Sequence, residues 1–142
     1  MDDLVVRIGV VADAPSISNL LHEFNGEALS PPALVERMQE VRDLEAAFLA
    51  ELDGAAVGLL VLRIVPTLSG PQDWAEITEM YVRPNFRRRG VGRALIEAAI
   101  KHARRHGCIE VHLLVDPANR TGLSFYEAVG FGRDSWEMRR DL

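Results

Sequence analysis

Apolar and polar positions along this chain switch between the period of a strand and that of a helix, and most of the breaks fall at glycine or proline. Leu4 to Ile8 is a short β-branched run and predicts a first strand. Asp13-Ala14-Pro15 supplies a cap and an early proline for a helix running to about Phe24. Ser30-Pro31-Pro32 opens a second helix, with Leu34, Met38 and Val41 at helical spacing up to Arg42. Glu45 to Leu52 and Val57 to Val65 are apolar segments joined by Asp53-Gly54, the signal of an antiparallel hairpin. After a polar loop over 67–73, Trp74 to Val82 predicts another strand, closed by Pro84. Gly90 to about His106 carries Val91, Ala94, Leu95, Ala98, Ala99 and His102 on one helical face and stops at Gly107. Ile109 to Val115 predicts a short buried strand, Asn119 to Val129 a helix ended by Gly130, and Trp136 to Arg139 a last strand.

Helices interleaved with strands, including an early hairpin, predict a single mixed α/β domain over residues 1–142. Composition agrees with a wet surface around one core: 48% of residues are hydrophobic, 26% are charged, and mean hydropathy is +0.02. No apolar run approaches the roughly 18 residues that span a bilayer, so no membrane partner is expected. The opening MDDLVVRIGV lacks the basic and long apolar regions of an export signal, and the one cysteine, Cys108, suits a reducing compartment; the expected location is cytoplasmic. The net charge of -5 hides an asymmetry, because residues 1–79 hold four Arg against 14 acids while residues 80–142 hold 12 Lys or Arg against seven acids. Eight of the 16 basic residues lie between Arg83 and Arg105, which gathers positive potential where an anion can dock. Nucleic acid is not the expected anion, since the chain is acidic overall and aromatic residues do not interleave with those arginines.

The chemistry concentrates at Tyr81-Val82-Arg83-Pro84-Asn85-Phe86-Arg87-Arg88-Arg89-Gly90-Val91-Gly92-Arg93, a strand end, a basic turn with two glycines, and a helix start. Free amides at a helix N-terminus carry positive partial charge, and a glycine there lets an anion approach the backbone with no Cβ in its way. Arg87, Arg88, Arg89 and Arg93 add charge-assisted donors, so the expected ligand carries a pyrophosphate or several phosphates. Gly90-Val91-Gly92 lacks the Lys-Ser or Lys-Thr of a P-loop, and the dinucleotide fingerprint would place its third glycine at Leu95. Both of those nucleotide folds are set aside.

Arg87-Arg88-Arg89-Gly90-Val91-Gly92, with Tyr81 to Pro84 upstream and Asn119 through Phe125-Tyr126-Glu127-Ala128-Val129-Gly130-Phe131 downstream, resembles the GNAT superfamily of acyl-CoA-dependent N-acetyltransferases. The resemblance runs from Leu4 to Arg140. It implies a mostly antiparallel sheet splayed between its fourth and fifth strands, flanked by about four helices, with acetyl-CoA in the opening. It further implies that backbone groups at Met80, Tyr81 and Val82 meet the pantetheine arm, that Arg87 through Val91, Gly92 and Arg93 hold the pyrophosphate, and that Asn119 touches the cofactor. Tyr126 matches the family tyrosine that stands near the sulfur, as cofactor contact and general acid. The implied reaction is acetyl transfer to a primary amine of a small molecule or peptide by direct attack.

The base is left between two carboxylates. Glu76 lies 14 residues before Gly90, matching the glutamate spacing of the histone-type branch, and Glu79 lies nearer the segment assigned to pantetheine. Regular alternation puts them on opposite faces, and a bulge would break that parity. Glu79 is preferred slightly. Leu114 stands where protein-terminus acetylators of the family carry a glutamate, which argues against that branch. Cys108 reads as a small buried hydrophobe, and His22, His102, His106 and His112 show no metal-binding pattern, so no metal is expected. Trp74 and Trp136 read as core or sheet-edge residues. Glu23, Glu27, Glu36, Glu40 and Asp73 form an acidic rim that suits a cationic acceptor. A catalytically silent acyl-CoA-binding module is the alternative function, and a homodimer stays open beside a monomer.

Overall fold

Capping and turn residues fix where the elements begin and end. The structure, a computed structural model, describes residues 3–142. Strand β1 (Leu4–Ile8) leads into helix α1 (Ala14–Asn25), which stops at Gly26 in the left-handed region, φ 79°. Helix α2 (Pro31–Glu40) starts where the Ser30 hydroxyl accepts the Ala33 amide at 3.4 Å. Strands β2 (Glu45–Leu52) and β3 (Ala55–Val65) form the expected hairpin, with Asp53 at φ 51° and Gly54 at φ 83° meeting the positive φ demanded of both central residues by a tight turn. Strand β4 (Asp73–Val82), helix α3 (Val91–Arg105) and strand β5 (Cys108–Leu113) follow.

The sheet order is β1-β2-β3-β4-β5, with the first three pairings antiparallel and β5 parallel to β4. Both faces are covered. On one, Leu49 and Leu59 pack with Ala14, Ile17, Leu20 and Leu34 of α1 and α2, joined by Val61 and Tyr81. The opposite face carries Leu60 and Leu62 and receives α3, whose Val91, Leu95, Ile96, Ala99 and Ala103 are buried. Burial of ten side chains the size of valine or larger to under 2% exposure supplies the main driving force, at about 1.5–3 kcal/mol each before the entropy of ordering is subtracted.

The chain divides into two compact units, one ending at His112 and the other spanning Leu113–Leu142. The second unit holds helix α4 (Arg120–Ala128), capped by Asn119, whose Oδ1 accepts the Gly122 amide at 3.0 Å. Past Gly130, at φ 104°, the chain has no regular element. The strand expected at Trp136 to Arg139 is therefore absent: Trp136 is 89% and Met138 94% exposed, so alternation alone gave those side chains no face to bury. Trp136 is likewise neither core nor edge of a sheet. The expected burial of the fifth strand is corrected too, since Ile109 is 56% exposed. No helix among the described residues is long and apolar enough to cross a membrane.

Candidate active site

The basic turn grows directly out of the end of β4. Arg83 closes the strand with its amide on the Val57 carbonyl at 2.9 Å, and Pro84 to Phe86 form one tight 3-10 turn. Arg88 then takes φ 62° and Gly90 φ 81°, after which Val91 begins α3. A left-handed arginine is uncommon and mildly strained, and such positions concentrate at functional sites. Gly90 caps α3 without any side-chain bond, and a Cβ built on it would meet nothing within 4 Å. The first amides of α3, which lack intrahelical acceptors, thus lie beside open space. Such an open, positively polarised turn fits an anion.

The arginines around it differ in role. Arg87 donates Nε to the Val82 carbonyl at 2.9 Å, and its guanidinium lies 5.9 Å from the centre of the Tyr81 ring. It is folded back over the strand end. Arg89 lies 5.5 Å from the Phe86 ring centre, and Arg88 and Arg93 are exposed. The height of the turn over the sheet depends on a residue that the sequence reading passed over. Gly58 of β3 lies under the first turn of α3, where a Cβ would stand 3.1 Å from Val91 Cγ1 and 3.2 Å from Leu95 Cδ1. A lone glycine inside an apolar strand is the available signal of such a close approach.

The two candidate carboxylates share one face. Glu76 pairs across the ladder with Arg63 and Glu79 with Val61, but Ile77 pairs with Leu62, so Thr78 is an extra residue in β4. That bulge resets the alternation, and both glutamates follow the face carrying Leu59 and Val61, beneath α1 and α2. Met80 lies opposite Leu60 and follows the α3 face, and Tyr81, opposite Leu59, stacks on Phe24 of α1 at 5.3 Å between ring centres. Glu76 is held by Arg63 at 3.7 Å, whereas Glu79 Oε2 accepts from Asn25 Nδ2 at 3.3 Å. Glu79 and Thr78 line a cleft of about 1390 Å³ with Asn25, Glu27, Leu29 and Val61.

Asn119 and Tyr126 lie in the second unit. The Asn119 oxygen is occupied as helix cap, and a Cβ on Gly122 would stand only 2.4 Å from its Nδ2, so Gly122 leaves room for that cap. Tyr126 packs edge-on against Phe131 at 6.0 Å, and burial pushes its phenol above the usual range. A phenol so placed keeps its proton near neutral pH and is a donor. Cys108 is partly buried, and that burial, aided by Asp73, pushes its thiol up, which opposes a nucleophilic role. Trp74 stacks on His112 at 4.2 Å across adjacent strands, as befits a sheet residue. The acidic rim is partly neutralised internally, because Glu23 binds Arg83 at 2.9 Å and Glu40 binds Arg37 at 3.3 Å.

An uncharacterized N-acetyltransferase of Methanocaldococcus jannaschii is 36% identical over 92 residues, taking in 63% of this chain and 40% of the relative. The chain spans only 29 to 40% of the length of this and two further curated relatives. A glucosamine 6-phosphate N-acetyltransferase of Trypanosoma brucei brucei is 28% identical and is matched over 99% of this chain and 97% of its own. An aminoglycoside N-acetyltransferase in complex with CoA shares the fold at a TM-score of 0.86, covering 100% of this chain and 96% of that one at 22% identity. The model of the acetyltransferase (GNAT) family matches residues 14–131, and with most of the chain inside that match, this protein belongs to that family.

Proposed function

We propose that residues 1–142 act as one catalytic domain that transfers an acetyl group from acetyl-CoA to a primary amine of a small molecule or peptide. The observation that carries this reading is the turn at Gly90, where an open left-handed glycine, the free amides of α3 and the adjoining arginines converge beside β4. That combination suits the pyrophosphate of CoA, and a structural relative was crystallised in complex with CoA. Backbone groups of Met80, Tyr81 and Val82 meet the pantetheine arm, Arg87, Arg88, Arg89 and Arg93 with the backbone of Gly90, Val91 and Gly92 hold the phosphates, and Asn119 contacts the cofactor through its remaining amide.

In the proposed reaction Glu79 takes a proton from the acceptor ammonium, directly or through a water. The neutral amine attacks the thioester carbonyl carbon, an amide N–H of β4 polarises the carbonyl oxygen, and the C–S bond breaks with the electron pair on sulfur. Tyr126 supplies the proton that leaves CoA as a thiol, and the resulting tyrosinate regains one, through water, from the nitrogen that sheds its second proton as the amide forms. Glu76 is the second candidate for the base, and its ion pair with Arg63 makes it the less available of the two. The single cysteine agrees with a reducing, cytoplasmic setting.

Relatives differ in acceptor, one named for a phosphorylated amino sugar and one for polycationic aminoglycosides, so acceptor charge is the property to vary. Free thiol release from acetyl-CoA, followed with a panel of anionic, neutral and cationic amines, tests the proposal. Release that depends on an amine supports it; tight acetyl-CoA binding with no transfer to any amine would favour a silent acyl-CoA-binding module.

A further inference from the structure

We infer that Asn25, at the end of α1, is the positioning residue for Glu79, and that the last turn of α1 fixes how the base faces the acceptor cleft. This rests on the reading of Glu79 as the base. Three consecutive residues of α1 meet alternate residues along the end of β4. Asn25 Nδ2 donates to Glu79 Oε2 at 3.3 Å, the Phe24 ring stacks on Tyr81 with 25° between planes, and Glu23 Oε2 accepts from Arg83 Nε at 2.9 Å. Arg83 also donates to the Ala56 carbonyl at 3.0 Å, and Gly26 ends the helix with its amide on the His22 carbonyl at 2.8 Å. The helix end is thereby held in register with the strand.

That register matters because Glu79 directly follows the bulge at Thr78, where the ladder is interrupted. A glutamate has three side-chain torsions, and its disorder costs precision in a proton transfer that needs hydrogen-bond reach. A donor on Oε2 favours one orientation of the carboxylate and leaves Oε1 for an ammonium or a water. The donor is also neutral. Glu76 is balanced by the cation of Arg63, whereas the Asn25 amide orients Glu79 without cancelling its charge or competing with the acceptor for it. The same cleft is lined by both Asn25 and Glu79; with this cleft taken as the acceptor's, the hydrogen bond lies beside the incoming amine.

The test is kinetic, in the intact chain, with the best acceptor from the amine panel. Asn25→Ala should lower kcat/KM about tenfold or more, as loss of a hydrogen bond to a charged group does, with the KM for acetyl-CoA unchanged. The loss should be confined to pH below the acceptor's own ammonium pKa, since a free amine needs no base. Asn25→Asp, which keeps the shape but sets a second carboxylate beside Glu79, should lose more than Asn25→Ala over that range, and it serves if the alanine variant folds poorly. In a Glu79→Gln background the Asn25→Ala change should alter kcat/KM less than about twofold. A loss of equal size at every pH, or in both backgrounds, would make Asn25 merely structural and overturn the inference while leaving the base in place. Full activity of Glu79→Gln would instead overturn the base reading and this inference with it.

Discussion

Tyr126 combines a donor with an environment that preserves it. Burial raises its phenol above the ordinary value of 10, so the protonated form persists through neutral pH and is lost only when pH climbs past the raised value. If this proton goes to the leaving thiolate, the basic limb of kcat in the parent lies higher than an ordinary phenol would place it. Tyr126→Phe keeps the ring against Phe131 and removes the proton. We expect kcat to fall about 10²-fold with acetyl-CoA affinity little changed, and the tyrosine-dependent limb to vanish; stopped-flow thiol release across pH measures both. Unchanged turnover would assign Tyr126 to packing alone. The helix that carries this side chain was legible in the sequence, because Gly130 marks its end and takes φ 104° there, whereas the tyrosine's role came from the family resemblance alone. Asn25 was not legible, since its role appears only when a helix end and a strand 54 residues away are brought together.

Among the elements, β4 and α3 carry the proposed site, and the sequence defined their limits better than their phase. Asp53-Gly54 and Gly107 mark ends because positive φ is a local requirement that the residue itself announces. The bulge at Thr78 has no such marker. It arises from how β4 pairs with β3, and it reverses the expectation that Glu76 and Glu79 face apart. The strand expected at 136–139 failed for the opposite reason: the alternation was present, but no partner buries it. Packing of α3 on β3 yields a test of the site's construction. Gly58→Ala would push Val91 and Leu95 by a few tenths of an ångström, lifting the first turn of α3, which we propose binds the phosphates. We expect a loss of about 1 kcal/mol in stability by denaturant melts, and a several-fold weaker acetyl-CoA affinity. Retained affinity would show that the turn is positioned independently of the sheet.

At the scale of the whole molecule, charge is unevenly divided along the sequence, with 14 of the 21 acids in residues 1–79 and 12 of the 16 bases beyond. This division was plain in the sequence, but its internal pairing was not. Glu23 is committed to Arg83 and Glu40 to Arg37, so Glu27, which lines the cleft, is the rim acid best placed to attract a cationic acceptor. If steering operates, the KM of a polycationic amine rises between low and physiological salt, and Glu27→Gln flattens that dependence more than Glu23→Gln does. A salt-independent KM would reduce the acidic half to a solvated surface. The proposed acetyl-CoA site depends on anion binding by the turn at Gly90, and calorimetric titration of acetyl-CoA into the parent and Gly90→Asp tests it most directly. Aspartate tolerates the left-handed backbone better than most residues and meets open space there, so the variant should fold as the parent does. Its carboxylate would face the pyrophosphate, and we predict one acetyl-CoA bound per parent chain with affinity at least about tenfold weaker in the variant; equal affinity in a folded Gly90→Asp would contradict the account.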